Sequence, residues 1–211
     1  MIYSLNEIDT HCKKAARGAG FEWGYAEEIG KAIRWLAAFE LPGTAVLAAY
    51  LKEHNDCPAN FCQPDASNTK HIKAKGTGDL CPVLTGAWLC DSAVIEKNSC
   101  IQIERLSFPL LLMPFLAQIT DSIQQSLTFE YQSTRLQFSS GILNSNDNIS
   151  LSCKLAENAR LTMNSRVIEG RPAAVIGQKT AKIDWELLNL YACKTYVPAT
   201  EASRQGAGPA E

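Results

Sequence analysis

The stretch ISLSCKLAENARLTM, residues 149–163, alternates apolar and polar side chains with a period of two. Its apolar side chains fall on one side of an extended chain: Ile149, Leu151, Cys153, Leu155, Leu161 and Met163. The sequence Glu157-Asn158-Ala159 interrupts this alternation and predicts a short turn. Period-two alternation around a polar turn is typical of antiparallel strands with one buried face.

The same alternation recurs on either side of this stretch. Further strands are predicted at residues 101–103, 127–131, 136–138 and 173–176, the last after a Gly-Arg-Pro turn at 170–172. Each segment places its apolar side chains on one side, with polar residues between them. The second half of the chain therefore predicts a mainly antiparallel sheet.

The first fifty residues follow a helical period instead. Ser4 and Glu7 have the spacing of a capping box, and they predict a helix that ends at Gly18 and Gly20. Apolar residues three to four apart predict a second helix over 23–39 and a third over 44–53. These segments predict a helical subdomain at the start of the chain.

Later helices are predicted within the sheet region, around residues 84–89, from Pro114 through Ile123, and over 183–193. The predicted fold class is therefore α+β: an N-terminal helical subdomain, then a mainly antiparallel β-sheet with packed helices. The predicted organisation is a helical subdomain (1–52), a long polar loop (53–80), a sheet region (81–200) and a flexible tail (201–211). We expect these parts to form one compact domain overall.

Composition excludes several classes of function. The 211 residues carry 20 basic and 22 acidic side chains, a formal net charge of −2, so no strong basic footprint for nucleic acid or an anionic membrane is present. The longest apolar run, residues 108–119, is too short to span a bilayer and contains Pro109 and Pro114. The N-terminal sequence lacks the features of a secretory signal, so the eight cysteines predict a reduced, cytoplasmic protein.

Few motifs in the sequence indicate a catalytic or metal-binding site. His54, Cys57, Cys62 and His71 are the residue types of a tetrahedral zinc site, but their spacing departs from common zinc motifs and can arise by chance. Cys81, which precedes a proline, fits either a buried structural thiol or a nucleophile. Signatures of serine hydrolases, P-loop proteins and dinucleotide-binding folds are absent, so no catalytic residue and no cofactor is assigned.

Two segments concentrate arginine and aromatic side chains. The turn RGAGFEWG, residues 17–24, joins Arg17 to Trp23, and YVPATEASR, residues 196–204, ends near the other terminus. The candidate ligand-binding residues are Arg17, Trp23, Arg34, Trp35, Glu201 and Arg204. Arginines can hold a carboxylate through two parallel hydrogen bonds, so they predict a pocket for an anion between the helices and the sheet. The alternative is that these residues form ordinary surface ion pairs and core contacts.

Three segments resemble an uncharacterised bacterial family. They are SLNEIDTHCKKAARGAGFEWGYAEEIGKAIRWLAAFELPG (4–43), LCPVLTGAWLCD (80–91) and TYVPATEASRQGAG (195–208). The resemblance implies a shared fold but no activity. Residues 19–51 are also similar to the N-terminal helices of the NAD-dependent type-2 malate/L-lactate dehydrogenases. In those enzymes a histidine before the second glycine takes part in proton transfer, whereas this chain has Pro42 there, which cannot do acid–base chemistry.

Two functional hypotheses follow from the sequence. The first is a binding protein for a small anionic metabolite, or a metabolic enzyme of unknown reaction that acts on such a molecule. The second is a non-catalytic accessory or assembly protein that forms a homodimer through residues 108–115 or through a sheet edge.

Overall fold

The computed structural model describes residues 1–92, 100–123, 125–139, 141–145, 152–164, 169–173 and 176–196. In these ranges the helices are α1 (Leu5–Gly18), α2 (Trp23–Ala38), α3 (Gly43–Asp56), α4 (Pro82–Asp91), α5 (Met113–Ile123) and α6 (Lys182–Ala192). The strands are β1 (Ile2–Ser4), β2 (Phe61–Cys62), β3 (His71–Ile72), β4 (Asp79–Leu80), β5 (Cys100–Ser107), β6 (Ser126–Tyr131), β7 (Thr134–Ser139), β8 (Ile142–Ser145), β9 (Leu155–Asn164), β10 (Arg171–Pro172) and β11 (Gly177–Lys179).

The capping box sets the start of α1. The Ser4 Oγ accepts a hydrogen bond from the Glu7 amide at 3.2 Å, and the Ser4 amide donates to Glu7 Oε2 at 2.8 Å. These bonds satisfy two backbone donors that the first turn of a helix leaves unpaired. The inward side of α1 is buried at Ile8, Cys12 and Ala15. The prediction of an N-terminal helical region is confirmed.

The main sheet is mixed and mainly antiparallel. Its strand order is β10-β8-β7-β6-β9-β5-β4-β2, and β3 pairs with β5 beside β4. The pairs from β10 to β5 are antiparallel, whereas β2, β3 and β4 join in parallel. The short β1 and β11 form a separate antiparallel pair. The predicted α+β class is therefore confirmed, and residues 53–80 supply the three two-residue parallel strands.

The turn predicted at residues 157–159 is wrong, because β9 runs through it. Ala156 and Ala159 are both buried, opposite Leu106 and Ile103 of β5, while the residues between them face solvent. The shift occurs beside Arg105, whose backbone has a left-handed φ of 48°. Glu157 and Asn158 therefore mark the point in β9 where the buried positions change from even-numbered to odd-numbered residues.

One other predicted strand, over residues 173–176, differs from the structure. The predicted turn at 170–172 contains β10, which pairs with β8, and Ala173 and Ile176 lie outside any strand. Gly170 permits this pairing, since a Cβ there would lie 2.6 Å from the Leu143 carbonyl oxygen. Residues 149–151, at the start of the alternating stretch, lie outside the described residues.

The apolar run from Phe108 to Phe115 lies inside the core, as the sequence predicts. Its residues are buried in a short 3-10 turn, Pro109–Leu112, and in the first turn of α5. The expectation that this segment offers a dimer surface is therefore wrong, because its side chains already pack within the chain. Within the described residues, no helix is both long enough and apolar enough to cross a membrane.

Candidate functional site

Arg17 and Trp23, two of the predicted ligand-binding residues, lie together. The Arg17 Cζ atom is 5.3 Å from the centre of the Trp23 ring, within the range of a cation–π contact. Arg17 Nη1 also donates a hydrogen bond to the Phe21 carbonyl oxygen at 3.0 Å, which fixes the guanidinium against the turn. Trp23 is 53% exposed, so this contact is at the surface.

The other predicted residues do not join them. Arg34 is exposed near the far end of α2, about 16 Å along the helix axis from Trp23 at 1.5 Å per residue. Trp35 packs instead on Phe39 and Phe138, with ring centres 4.4 and 6.1 Å away. Glu201 and Arg204 lie outside the described residues. The expected convergence of Arg17 with Arg34 is absent from the described structure.

Residues near the C-terminus do reach the end of α1. A Cβ on Gly18 would lie 1.8 Å from the Tyr191 carbonyl oxygen, so α1 and α6 approach closely there. Lys14 Nζ lies 5.3 Å from the Tyr196 ring, and Lys194 Nζ lies 4.9 Å from the Tyr191 ring. We define the cationic junction as the cations and rings at this meeting point: Lys14, Arg17, Lys194, Trp23, Tyr191 and Tyr196.

Much of the cationic junction has an intramolecular explanation. Arg17 lies in the last turn of α1, and Lys194 follows the end of α6. Cations are stabilised near helix C-termini because the last carbonyl groups carry partial negative charge. The rings of Trp23 and Tyr191 add cation–π contacts. Helix ends and rings therefore account for the position of these cations.

The residues of the zinc hypothesis do not assemble. His71 lies on β3 with its Nε2 3.3 Å from Glu104 Oε2, whereas His54 on α3 packs against Phe21 with ring centres 4.6 Å apart. In the part of the chain that the structure describes, no three His, Cys, Asp or Glu side chains are placed to hold a metal ion. The geometry therefore gives no support to a site built from His54, Cys57, Cys62 and His71.

Cys81 is a buried structural thiol. Its Sγ lies 3.0 Å from the Tyr50 hydroxyl oxygen and accepts a hydrogen bond from the Leu84 amide at 3.5 Å, so it caps α4. Burial raises the pKa of Cys81, and burial also raises the pKa of Tyr50. A reactive cysteine needs a lowered pKa and access to solvent, and Cys81 has neither.

A concave surface lies beside α2. A depression of about 470 Å³ opens between α2, α4 and α5, with Phe115 and Gln118 in its lining. Four carboxylates also line it: Glu22, Glu27, Glu28 and Asp91. No basic side chain of the described residues lines this depression. Its volume is in the range of ligand-binding clefts.

Three further depressions adjoin the first, because each shares lining residues with it. One of about 230 Å³ shares Glu28 and Gln118 and is lined by Trp35. Another of about 210 Å³ shares Cys90. The third, of about 480 Å³, shares Tyr25 and extends to the loop over residues 63–67. We call this continuous surface the acidic groove.

The pKa of Cys90 reflects its burial first and the nearby carboxylates second. Burial, followed by the charges of Asp91 and Glu28, raises the pKa of this thiol to about 11. Two rim carboxylates have cationic partners, since Glu28 Oε1 lies 2.7 Å from Lys31 Nζ and Glu27 pairs with Lys13. Such exposed pairs are weak, so the groove keeps a negative potential.

Glu27 is exposed and Glu28 partly exposed on α2, but the sequence does not indicate the groove beside them. The groove forms only when α4 and α5 pack together at Gly86, where a Cβ would lie 2.4 Å from Phe115 Cγ. A glycine inside the apolar segment 84–89 is the one local sign of this close contact.

One family model matches the N-terminal part of the chain. The model of a family described as "Protein of unknown function (DUF3726)" matches residues 3–83, which run from β1 to the start of α4. This match confirms the resemblance of the N-terminal part to an uncharacterised family. No curated protein and no solved structure matches the chain. The similarity to malate/L-lactate dehydrogenases, the bacterial origin, the cytoplasmic location and the homodimer stay predictions.

Proposed function

We propose that this chain is a binding protein whose acidic groove receives a positively charged ligand. The observation that carries the proposal is the depression between α2, α4 and α5. It combines apolar and aromatic side chains, such as Tyr25, Ala87 and Phe115, with four carboxylates and no base among the described residues. Clefts that bind ligands are lined mainly by apolar side chains, and a few charged groups select the ligand.

The charges favour an organic cation over a metal ion. Asp91 and Glu22 have no ion pair within the described residues, so they are available to an incoming ammonium or guanidinium group. The carboxylates are too widely spaced to coordinate one ion together. Oppositely charged groups at the rim of a cleft speed the approach of a ligand and select against the wrong charge.

Titration with spermidine and with arginine amide, followed by NMR, tests the proposal. We expect shift changes confined to α2, α4 and α5, and we expect them to weaken as salt is raised. The double variant Glu28→Gln/Asp91→Asn should bind both cations less tightly. The matched control is Glu186→Gln, which removes an exposed carboxylate of α6 that pairs with Lys182. Equal binding by the double variant and the control would contradict the proposal.

The cationic junction carries a second candidate function, the anion binding expected from the sequence. Its support is that α1 and the end of α6 bring Lys14, Arg17 and Lys194 to one surface, although they are far apart in sequence. These cations lack an acidic partner within the described residues. A small carboxylate ligand would lie between them.

Thermal unfolding in the presence of carboxylates and sugar acids tests this second candidate. A ligand that binds the folded state raises the Tm. We expect Arg17→Gln to abolish a rise caused by citrate, while the control variant Arg34→Gln keeps it because Arg34 lies at the far end of α2. A panel that raises the Tm of all three proteins equally would remove this candidate.

A further inference from the structure

We infer that the occupant of the acidic groove is a basic amphipathic segment of a partner protein, and this inference rests on the proposed function. A segment of this kind presents apolar side chains to the lining of the groove and lysine or arginine side chains to its rim. Binding of an amphipathic helix in a groove is a recurrent mode of peptide recognition.

The length of the groove fits a segment of polypeptide chain. On α2 its lining runs from Glu22 to Trp35, which is about 20 Å at 1.5 Å per residue. All three depressions share Gln118, so they adjoin one another, and together they follow one face of α2 from Tyr25 to Trp35. A small molecule would fill one depression, whereas a helix of about 13 residues would cover all of them.

The shape of the groove also favours a large partner. Every depression opens to solvent, so a small ligand would leave much of its own surface exposed, unlike ligands in enclosed pockets. Tyr25, Trp35 and Trp88 are half-buried in the lining and present part of their rings. Aromatic side chains in this state are the residues that most often dominate binding energy between proteins.

Charge complementarity sets the chemistry of the segment. The groove lining holds six carboxylates: Glu22, Glu27, Glu28, Asp65, Asp91 and Asp121. Among the described residues its basic side chains are Lys31 and Lys75. The whole chain is nearly balanced, with 22 acidic and 20 basic residues, so acidic residues are concentrated in the groove. An acidic segment would meet like charge, and a basic one is attracted.

A synthetic 14-residue peptide with leucines on one helical face and lysines on the other tests the inference on the full chain. Fluorescence anisotropy gives its affinity, and a photo-reactive group on the peptide gives its position by mass spectrometry. We expect it to bind at least about tenfold more tightly than a scrambled peptide of the same composition, since only the amphipathic order buries apolar surface. A peptide with glutamate in place of lysine should not bind.

Variants of the groove connect the affinity to the site. Glu28→Gln/Asp91→Asn should weaken the lysine peptide about fivefold or more, and Glu186→Gln should leave it unchanged. Trp88→Ala should weaken it as well, with circular dichroism showing that the variant is folded. Cross-links should map to α2, α4 and α5.

The outcomes separate the inference from the proposed function. If spermidine binds the groove but the amphipathic peptide binds no more tightly than its scramble, the inference is overturned and the proposed function stands. If neither binds, both are overturned. Cross-links outside α2, α4 and α5, or an affinity that the groove variants do not change, also overturn the inference. Self-association through the groove, detected by light scattering without peptide, would also overturn the inference. The occupant of the groove would then be a second copy of this chain.

Discussion

The acidic groove and the cationic junction meet at the start of α2, where Trp23 belongs to the junction while Glu22 and Gly24 line the groove. Their charges have different causes. The cations of the junction lie at helix C-termini and over aromatic rings of the same chain. Among the carboxylates of the groove, Glu27 and Glu28 pair with Lys13 and Lys31, whereas Glu22 and Asp91 have no ion pair within the described residues. The unpaired carboxylates lie beside a concave surface, so they point most directly to a charged partner.

The comparison also shows how little the net charge reveals. A formal charge of −2 describes a nearly neutral chain, yet acidic and basic side chains collect on two neighbouring surfaces. Two close helix–helix contacts hold these surfaces: Gly18 meets the backbone of Tyr191, and Gly86 meets the side chain of Phe115. Substitutions that disturb each contact separately are therefore the strongest test of whether the two surfaces are independent.

Gly18→Ala should have the largest effect and should act on the cationic junction. The new Cβ would lie 1.8 Å from the Tyr191 carbonyl oxygen, so α1 and α6 must separate. We expect the free energy of unfolding to fall by about 3 kcal/mol, the cost of severe overpacking. Urea unfolding measures this change. The control is Gly24→Ala, where a Cβ meets no atom within 4 Å. Equal stability of the two variants would contradict the prediction.

Gly86→Ala should have the next largest effect and should act on the acidic groove. Its Cβ would lie 2.4 Å from Phe115 Cγ, inside the contact between α4 and α5. We expect a loss of about 2 kcal/mol in the free energy of unfolding, since the Phe115 ring can shift more easily than a backbone carbonyl. Urea unfolding gives the loss, and the lysine peptide should bind less tightly. A variant with wild-type stability and affinity would refute this account of the groove.

The reactivity of Cys90 should show the negative field of the groove. Because burial, Asp91 and Glu28 raise its pKa to about 11 from the ordinary 9.0, its thiolate fraction near pH 8 is about a hundredfold below that of an ordinary thiol. Alkylation should be correspondingly slow, and its rate should still rise above pH 10. Mass spectrometry resolves each cysteine, with exposed Cys193 as the reference in the same sample.

Asp91→Asn sharpens this measurement. It removes one negative charge while burial, the largest cause, remains, so the pKa of Cys90 should fall but stay raised. A Cys90 that reacts at the same rate in Asp91→Asn as in the wild-type protein would show that the charge of Asp91 does not act on it.

His11 should report the opposite field at the junction. Burial, and to a smaller extent Lys14, lowers its pKa, and its ring stacks on Trp185 at 4.1 Å. The unfolded chain therefore binds a proton near pH 6.5, whereas the folded chain binds it only at lower pH. The contribution of His11 to the free energy of unfolding should thus be fully present above about pH 6.5 and should be lost as the pH falls below that value.

His11→Gln should reduce that pH slope without abolishing it, because burial also lowers the pKa of His54. Urea unfolding at several pH values measures the slope. In addition, Lys14→Gln should raise the pKa of His11 in an NMR titration. An unchanged slope in His11→Gln would show that folding does not lower the pKa of this histidine, and an unchanged His11 pKa in Lys14→Gln would show that it does not sense the junction.

The ion pair between Lys13 and Glu27 should have the smallest effect, although it links α1 to the rim of the groove. Both side chains are substantially exposed, so the pair should contribute about 0.5 kcal/mol or less. A double-mutant cycle with Lys13→Gln and Glu27→Gln measures the coupling. A coupling above about 1 kcal/mol would mean that the two regions are not independent.

Local rules in the sequence predict most of the fold. The capping box at Ser4 and the helical period of residues 23–39 predict α1 and α2 correctly, and the alternation at 127–138 predicts β6 and β7. The change of side in β9 is not predictable in this way. It depends on Arg105, which bonds Asp79 and Glu157, and those contacts form only in the folded sheet.

The candidate site is less predictable than the fold, for the same reason. Arg17 and Trp23 are close in sequence, and their contact is found. Lys14 and Lys194 are 180 positions apart, and they come to one surface only because α6 packs on α1. The groove likewise depends on three helices that are separated along the chain. Charge sign can be read from the sequence, whereas concavity is a property of packing.

Arg105 has a consequence for how this chain can vary. On one side of it the inward positions of β5 are odd-numbered, at Ile101 and Ile103, and on the other side the inward position is even-numbered, at Leu106. In β9 the buried positions change in the same way at Glu157, from the even-numbered Ala156 to the odd-numbered Ala159. A homologue that deletes one of these two positions must delete the other to keep the buried pairs opposite each other. Insertions and deletions at these two positions should therefore occur together, one in β5 and one in β9.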